Sequence, residues 1–137
     1  MTVPLDLDPA APAAPDPAAA LLSALAAHLG TPLAQRLVTL PEGVRVEIDG
    51  VDTAESLLVQ CISATGAVKS SQRNKAMADA LKLVWLRATL FAEARIALCV
   101  SEPMGRFFRD PAWLAQAARD LRLEVYVASP GGAVEAL

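Results

Sequence analysis

The chain has 137 residues, 54% of them hydrophobic and 20% charged, which suits one domain with a real core and excludes a wholly disordered chain. The net charge of −3 argues against a dedicated high-affinity nucleic-acid binder, whose footprint is basic. Two separated cysteines, no CxxC pair and a single histidine argue against a structural zinc site.

The N-terminus has no basic region leading into an apolar one, and no uncharged apolar run is long enough to span a bilayer. The expected location is cytoplasmic, with no membrane partner. Residues 1–17 hold five prolines and three aspartates, so they are expected to form a disordered Pro/Ala-rich tail. The domain is expected over 18–130, with 131–137 a mobile C-terminal tail.

From Ala18 to Leu29 the alanines and leucines predict a helix that Gly30 stops, with Leu21, Leu22, Leu25 and Leu29 on one face. His28, near the end of that helix, is expected to be structural. Residues 31–43 read equally as a second short helix or as a short strand near Leu37–Leu40. "VRVEIDG" alternates, which predicts a half-buried strand, and Asp49-Gly50 reads as a turn. "SLLVQCIS" reads as a buried strand closing an antiparallel hairpin. Ser70-Ser71 are expected to cap a helix to about Leu90, with Met77, Ala80, Leu81 and Val84 as its apolar stripe. "ARIALCVS" is continuous and apolar, which predicts a central strand containing Cys99. Cys61, on the strand before, is likewise expected to be a small buried residue. Asp110-Pro111 should open a helix that buries Trp113, Leu114, Ala117, Ala118 and Leu121. "LEVYVAS" should be the last strand, parallel to its predecessor. The fold class is therefore α/β (α+β), a mixed four-stranded sheet flanked by helices.

The candidate site lies in "LLVQCISATGAVKSSQRNKAMADALKL", from Leu57 to Leu83. Strand alternation puts Leu58, Gln60 and Ile62 on one face. Gln72, Lys75, Asp79 and Lys82 follow at helical spacing on one polar stripe, where each opposite-charge pair contributes ~0.2–0.5 kcal/mol. Gln60 is unusual within a buried run, because a buried amide needs hydrogen-bond partners, and the helix stripe is the expected source. Lys69, Arg73, Lys75 and Lys82 also form a local basic cluster.

An acidic residue on a hairpin, a polar position on the next strand and then a helix with a polar stripe resemble the PD-(D/E)XK nuclease superfamily. "GAVKSSQRNKAMADALKL" looks like the run after the catalytic strand in some nucleases of that superfamily. The resemblance implies a restriction-endonuclease-like fold over roughly residues 44–101. In that family an aspartate and a Glu-x-Lys hold a divalent cation and orient the attacking water. Residue by residue, Asp49 matches the aspartate, Gln60 stands where the glutamate would be, and Ile62 where the lysine would be. Lys75 is the candidate for a migrated lysine.

The resemblance with these departures implies a degenerate site at Asp49, Gln60 and Lys75. It implies a non-catalytic nuclease-like domain that serves as a binding or accessory module. Gln72, Arg73, Asp79 and Lys82 are the candidate binding residues, and neither a metal site nor a cofactor is expected. The expected partner is a protein, with weak nucleic-acid contact through Lys69, Arg73 and Lys75 as an addition. Two alternatives stand beside this. One is an active Mg²⁺-dependent nuclease acting on DNA or RNA through Asp49, Glu47 or Asp52 with Lys75. The other is a plain α/β interaction domain. "SEPMGRFFRDP", Ser101 to Pro111, is a further candidate contact loop, with packing as the simpler role of Phe107 and Phe108.

Overall fold

A computed structural model describes residues 16–137, so residues 1–15 of the tail expected over 1–17 lie outside the described residues. Helix α1 (Pro17–Leu29) starts one residue before the expected boundary. The Asp16 carboxylate accepts from the Ala18 N–H at 3.1 Å, and Pro17 takes the first helical position. Gly30 ends the helix in the left-handed region at φ 66°, donating back to Ala26 and Ala27.

The remaining elements are β1 (Ala34–Thr39), β2 (Arg45–Val51), β3 (Leu57–Ile62), α2 (Ser70–Thr89) and β4 (Arg95–Ser101). There follow α3 (Glu102–Gly105), a 3-10 turn (Arg106–Phe108), α4 (Trp113–Asp120), β5 (Leu123–Ala128) and β6 (Val134–Ala136). The strands form one mixed sheet in the order β1-β2-β3-β4-β5-β6. Neighbours at both edges are antiparallel, and β3, β4 and β5 run parallel at the centre. The class is α/β, but the sheet has six strands where four were expected. The ambiguous segment after α1 is the edge strand β1. The segment expected as a C-terminal tail carries β6, because Gly132 (φ 90°) lets the chain fold back and Ser129 N–H reach the Ala133 carbonyl.

Helices cover both faces. On one, Leu21 and Leu25 of α1 pack on Leu57, Val59, Cys61, Ala97 and Cys99. On the other, Ala76, Leu83 and Leu86 of α2 and Ala118 of α4 pack on Leu58, Ile62, Ile96, Leu98 and Val125. This double burial is why β3 and β4 read as unbroken apolar runs.

Five local expectations are corrected. The buried arc of α2 is Ala76, Asp79, Leu83 and Leu86, while Met77, Ala80 and Val84 sit at its margin and Leu81 is 70% exposed. The helix is rotated toward its two large leucines, and Asp79 goes in with them. No serine caps α2. Lys69 holds the cap position, and its N–H donates to the Gln72 side chain at 2.7 Å. Helix α4 begins at Trp113 rather than at Asp110, whose carboxylate instead pairs with Arg119 at 3.1 Å. Its inward residues are Leu114, Ala115 and Ala118, leaving Trp113 73% and Leu121 47% exposed.

Finally, Asp49-Gly50 is not a turn. Both residues lie inside β2, and the turn comes at Asp52–Ser56. There the Asp52 carboxylate accepts from the Ser56 hydroxyl and from the N–H groups of Ser56 (2.7 Å) and Leu57 (3.0 Å). Although burial acts to raise it, these bonds hold the Asp52 carboxyl below its ordinary value. Ala34 opposes Val51 and Arg36 opposes Ile48, so β2 carries an extra residue, a bulge at Asp49-Gly50. A Cβ on Gly50 would collide with the Leu22 side chain, so the glycine lets α1 approach the bulge.

Gly50→Ala is expected to cost about 1–3 kcal/mol by urea unfolding. The cost should shrink in a Leu22→Ala background. An equal cost in both backgrounds would show that Leu22 is not the obstacle.

Candidate functional site

Residue pairing between β2 and β3 covers only Gly50↔Val59 and Val51↔Leu58. Beyond it the bulge turns β2 away, and two backbone N–H groups that would have joined the ladder need other acceptors. Two side chains supply them reciprocally. The Gln60 Oε1 accepts from the Asp49 N–H at 2.8 Å, and the Asp49 Oδ2 accepts from the Cys61 N–H at 2.9 Å. Asp49 and Gln60 therefore meet, as a site there would require, but each is bonded to the other strand's backbone. The expected bond from Gln60 to α2 is not formed. Gln60 is 2% exposed, and its oxygen is used within the sheet.

The other buried polar side chain among the described residues is Asp79. Lys75 donates to its carboxylate at 2.5 Å, one helical turn away, and Lys82 Nζ lies 3.8 Å from its second oxygen. Lys82 also donates to the Glu47 carbonyl of β2 at 3.1 Å, so Asp79 and Lys82 tie α2 to the edge of the fork. Gln72 is at the start of the helix, where its Nε2 donates weakly to the Ser63 carbonyl at 3.4 Å. Arg73 points elsewhere. Its guanidinium stacks on Phe107, 5.5 Å from the ring centroid, and donates to the Ser70 hydroxyl at 3.4 Å. Asp79 and Lys82 of the stripe thus brace the helix, and Arg73 of the basic cluster belongs to another surface.

No group of three or more His, Cys, Asp or Glu able to hold a metal ion occurs among the described residues. Cys61 and Cys99, distant in sequence, are register partners on β3 and β4 and are buried against α1. The neighbouring Cys99 sulfur, together with burial, pushes the Cys61 thiol up, so it stays protonated at neutral pH. Ile62 is buried in the α2-side core and makes no polar contact.

Two polar groupings escaped the sequence reading. Arg95 and Glu124 form a bidentate pair across β4 and β5 at 2.7 and 2.8 Å, and the Tyr126 hydroxyl donates to the same carboxylate at 2.6 Å. Arg95 beside it holds the Glu124 carboxyl below its ordinary value, against the effect of burial. The alternation of "LEVYVAS" places Glu124 and Tyr126 on one face, which was the available signal. A cleft of about 620 Å³ opens at the carboxyl ends of β3, β4 and β5, lined by Ser63, Ser101, Glu102 and Ser129 among small apolar residues. It does not include Asp49, Gln60 or Lys75. No helix among the described residues is long and apolar enough to cross a membrane.

No protein-family model matches the chain, and no curated protein or solved structure matches it significantly.

Gln60→Leu is expected to leave the Asp49 N–H without an acceptor and to cost about 1–3 kcal/mol by denaturant unfolding. Gln60→Met, similar in length and lacking the amide oxygen, should cost about as much. A neutral outcome for both would show that the bond contributes nothing.

Proposed function

We propose that the chain is a non-catalytic nuclease-like domain that works as a binding or accessory module, derived from a restriction-endonuclease-like PD-(D/E)XK fold. The order α1–β1–β2–β3–α2–β4 and the meeting of Asp49 with Gln60 on adjacent strands support the ancestry. The observation that carries the loss of catalysis is the reciprocal clamp. In a metal-dependent nuclease the two positions present carboxylate oxygens to a divalent cation. Here one of them is a neutral amide whose oxygen accepts from Asp49 N–H, and an oxygen of the Asp49 carboxylate accepts from Cys61 N–H. Ile62 contributes neither charge nor proton at the position where the resemblance expects a lysine. Lys75, the candidate replacement, is engaged by Asp79.

The residues present fit Mg²⁺ poorly, because one of the two positions is a neutral amide. The active-nuclease alternative needs two carboxylates converging on one point. Glu47 is exposed on β2, and Asp52 is committed to its turn. The work of the domain in this reading is done at its surface, with a protein as the partner.

Purified full-length chain is expected to leave DNA and RNA intact with either Mg²⁺ or Mn²⁺. Robust metal-dependent cleavage that Asp49→Ala abolishes would sink the proposal in favour of an active nuclease. Gln60→Glu restores the family's carboxylate beside Asp49. It is expected to gain a Mn²⁺-dependent rise in melting temperature that the natural chain lacks, still without cleavage. No such rise would leave a plain α/β interaction domain.

A further inference from the structure

We propose that the surface formed by the first turns of α2, the 3-10 turn and α4 binds an acidic linear segment of a partner protein that carries one large apolar side chain. This rests on the reading of the chain as a binding module and names its partner's chemistry.

The charge is the first observation. Arg73 and Arg106 converge on one aromatic ring, with guanidinium carbons 5.5 and 4.9 Å from the Phe107 centroid. Both side chains are exposed, and neither has a carboxylate partner among the described residues. Arg36, Arg95, Arg109 and Arg119 hold Glu55, Glu124, Glu135 and Asp110; Arg45, Arg87 and Arg122 also lack a carboxylate partner among the described residues but do not stack on an aromatic ring there. Two exposed guanidinium groups beside one ring, neither neutralised by a carboxylate of the described residues, attract an incoming carboxylate. Stacking pre-orders both forks, so less side-chain freedom is lost when an anion binds.

The apolar component lies next to the charges. Phe107 and Arg73 line a cleft of about 390 Å³ together with Met77, Leu114 and Trp113. Trp113 is 73% exposed, an unusual state for the largest apolar side chain on a helix that buries only small ones. Tryptophan and arginine around a small apolar pocket are the residues that dominate protein-interface energetics. The cleft has room for a large side chain, and its methionine and leucine walls adapt to an aliphatic or aromatic guest. Complementarity therefore specifies a large apolar residue flanked by Asp or Glu. A polyanion such as single-stranded nucleic acid would meet the same arginines. However, the methionine and leucine walls offer a base no stacking partner beyond Trp113 and Phe107.

The test is panning of a random linear peptide display library against the full-length chain. Enriched sequences should carry Phe, Trp, Leu or Met flanked by Asp or Glu. A synthetic peptide from that pool should shift Trp113 fluorescence in a Trp85→Phe background, and its binding should weaken as salt is raised. Trp113→Ala and the double variant Arg73→Glu/Arg106→Glu should each weaken it at least about tenfold. All three side chains are solvent-facing, and unchanged circular dichroism verifies folding. Should the charge reversal unfold the chain, Arg73→Gln/Arg106→Gln takes its place. The proposal is overturned if no acidic-apolar sequence is enriched, or if enriched peptides bind both variants as well as the natural chain. It is also overturned if oligo(dT) or oligo(rU) binds more tightly than any peptide and is lost in the same variants, which reassigns the surface to nucleic acid. Each failure leaves the cleavage and Mn²⁺ outcomes untouched, so the two readings fail separately.

Discussion

Every buried backbone N–H must find an acceptor, and in this sheet the demand is sharpest where strands part. At the β2–β3 fork it is met by Gln60 on Asp49 N–H and by Asp49 on Cys61 N–H. The same device recurs at both ends of β3. Before it, the Asp52 carboxylate receives the N–H groups of Ser56 and Leu57. After it, the Ser101 hydroxyl accepts from Ala64 N–H at 2.7 Å and donates to the Ala64 carbonyl at 2.9 Å. A buried group left unpaired costs about 1–3 kcal/mol, a large share of a small domain's stability. The fully buried strand β3 therefore depends on a few short polar side chains at its margins.

These requirements constrain the chemistry left over for function. Oxygens that could have faced a cation face peptide groups instead, and the one buried carboxylate of α2 is occupied by Lys75. Lys82 bonds the Glu47 carbonyl of β2, and Arg87 bonds the carbonyls of Leu121 and Arg122, so α2 is fastened to both the fork and the end of α4. A helix tied down along this length gives a rigid platform. Function in the proposed reading then moves outward, to where Arg73, Arg106 and Trp113 stand exposed.

Much of the fold was legible because periodicity reports burial. The continuous apolar run of Arg95–Ser101 and the alternation of β5 gave their strands, and Gly30 gave the end of α1. Gln60 drew notice in the sequence as an amide in an apolar run and Asp79 as part of the polar stripe of the helix, and they are the two buried polar side chains among the described residues. Helical spacing made Lys75 and Lys82 legible as the partners of Asp79, but the partner of Gln60 was not legible. Asp49-Gly50 has the composition of a turn, and only the arrival of Leu22 from a distant helix explains the glycine within a strand. Likewise α4 has two possible apolar faces. Periodicity could not tell that its alanines would turn inward and Trp113 outward, because that depends on how closely the helix approaches β5. The short strand β6 has no periodic signal of its own and exists through pairing with β5.

The clamp is the central claim, and amide hydrogen exchange followed by NMR tests it most directly. The N–H groups of Asp49 and Cys61 should exchange as slowly as the ladder amides of β3, and Gln60→Leu should release Asp49 far more than the amides paired between β3 and β4. Fast exchange at Asp49 and Cys61 in the natural chain, comparable to the loop at residues 65–68, would contradict the account.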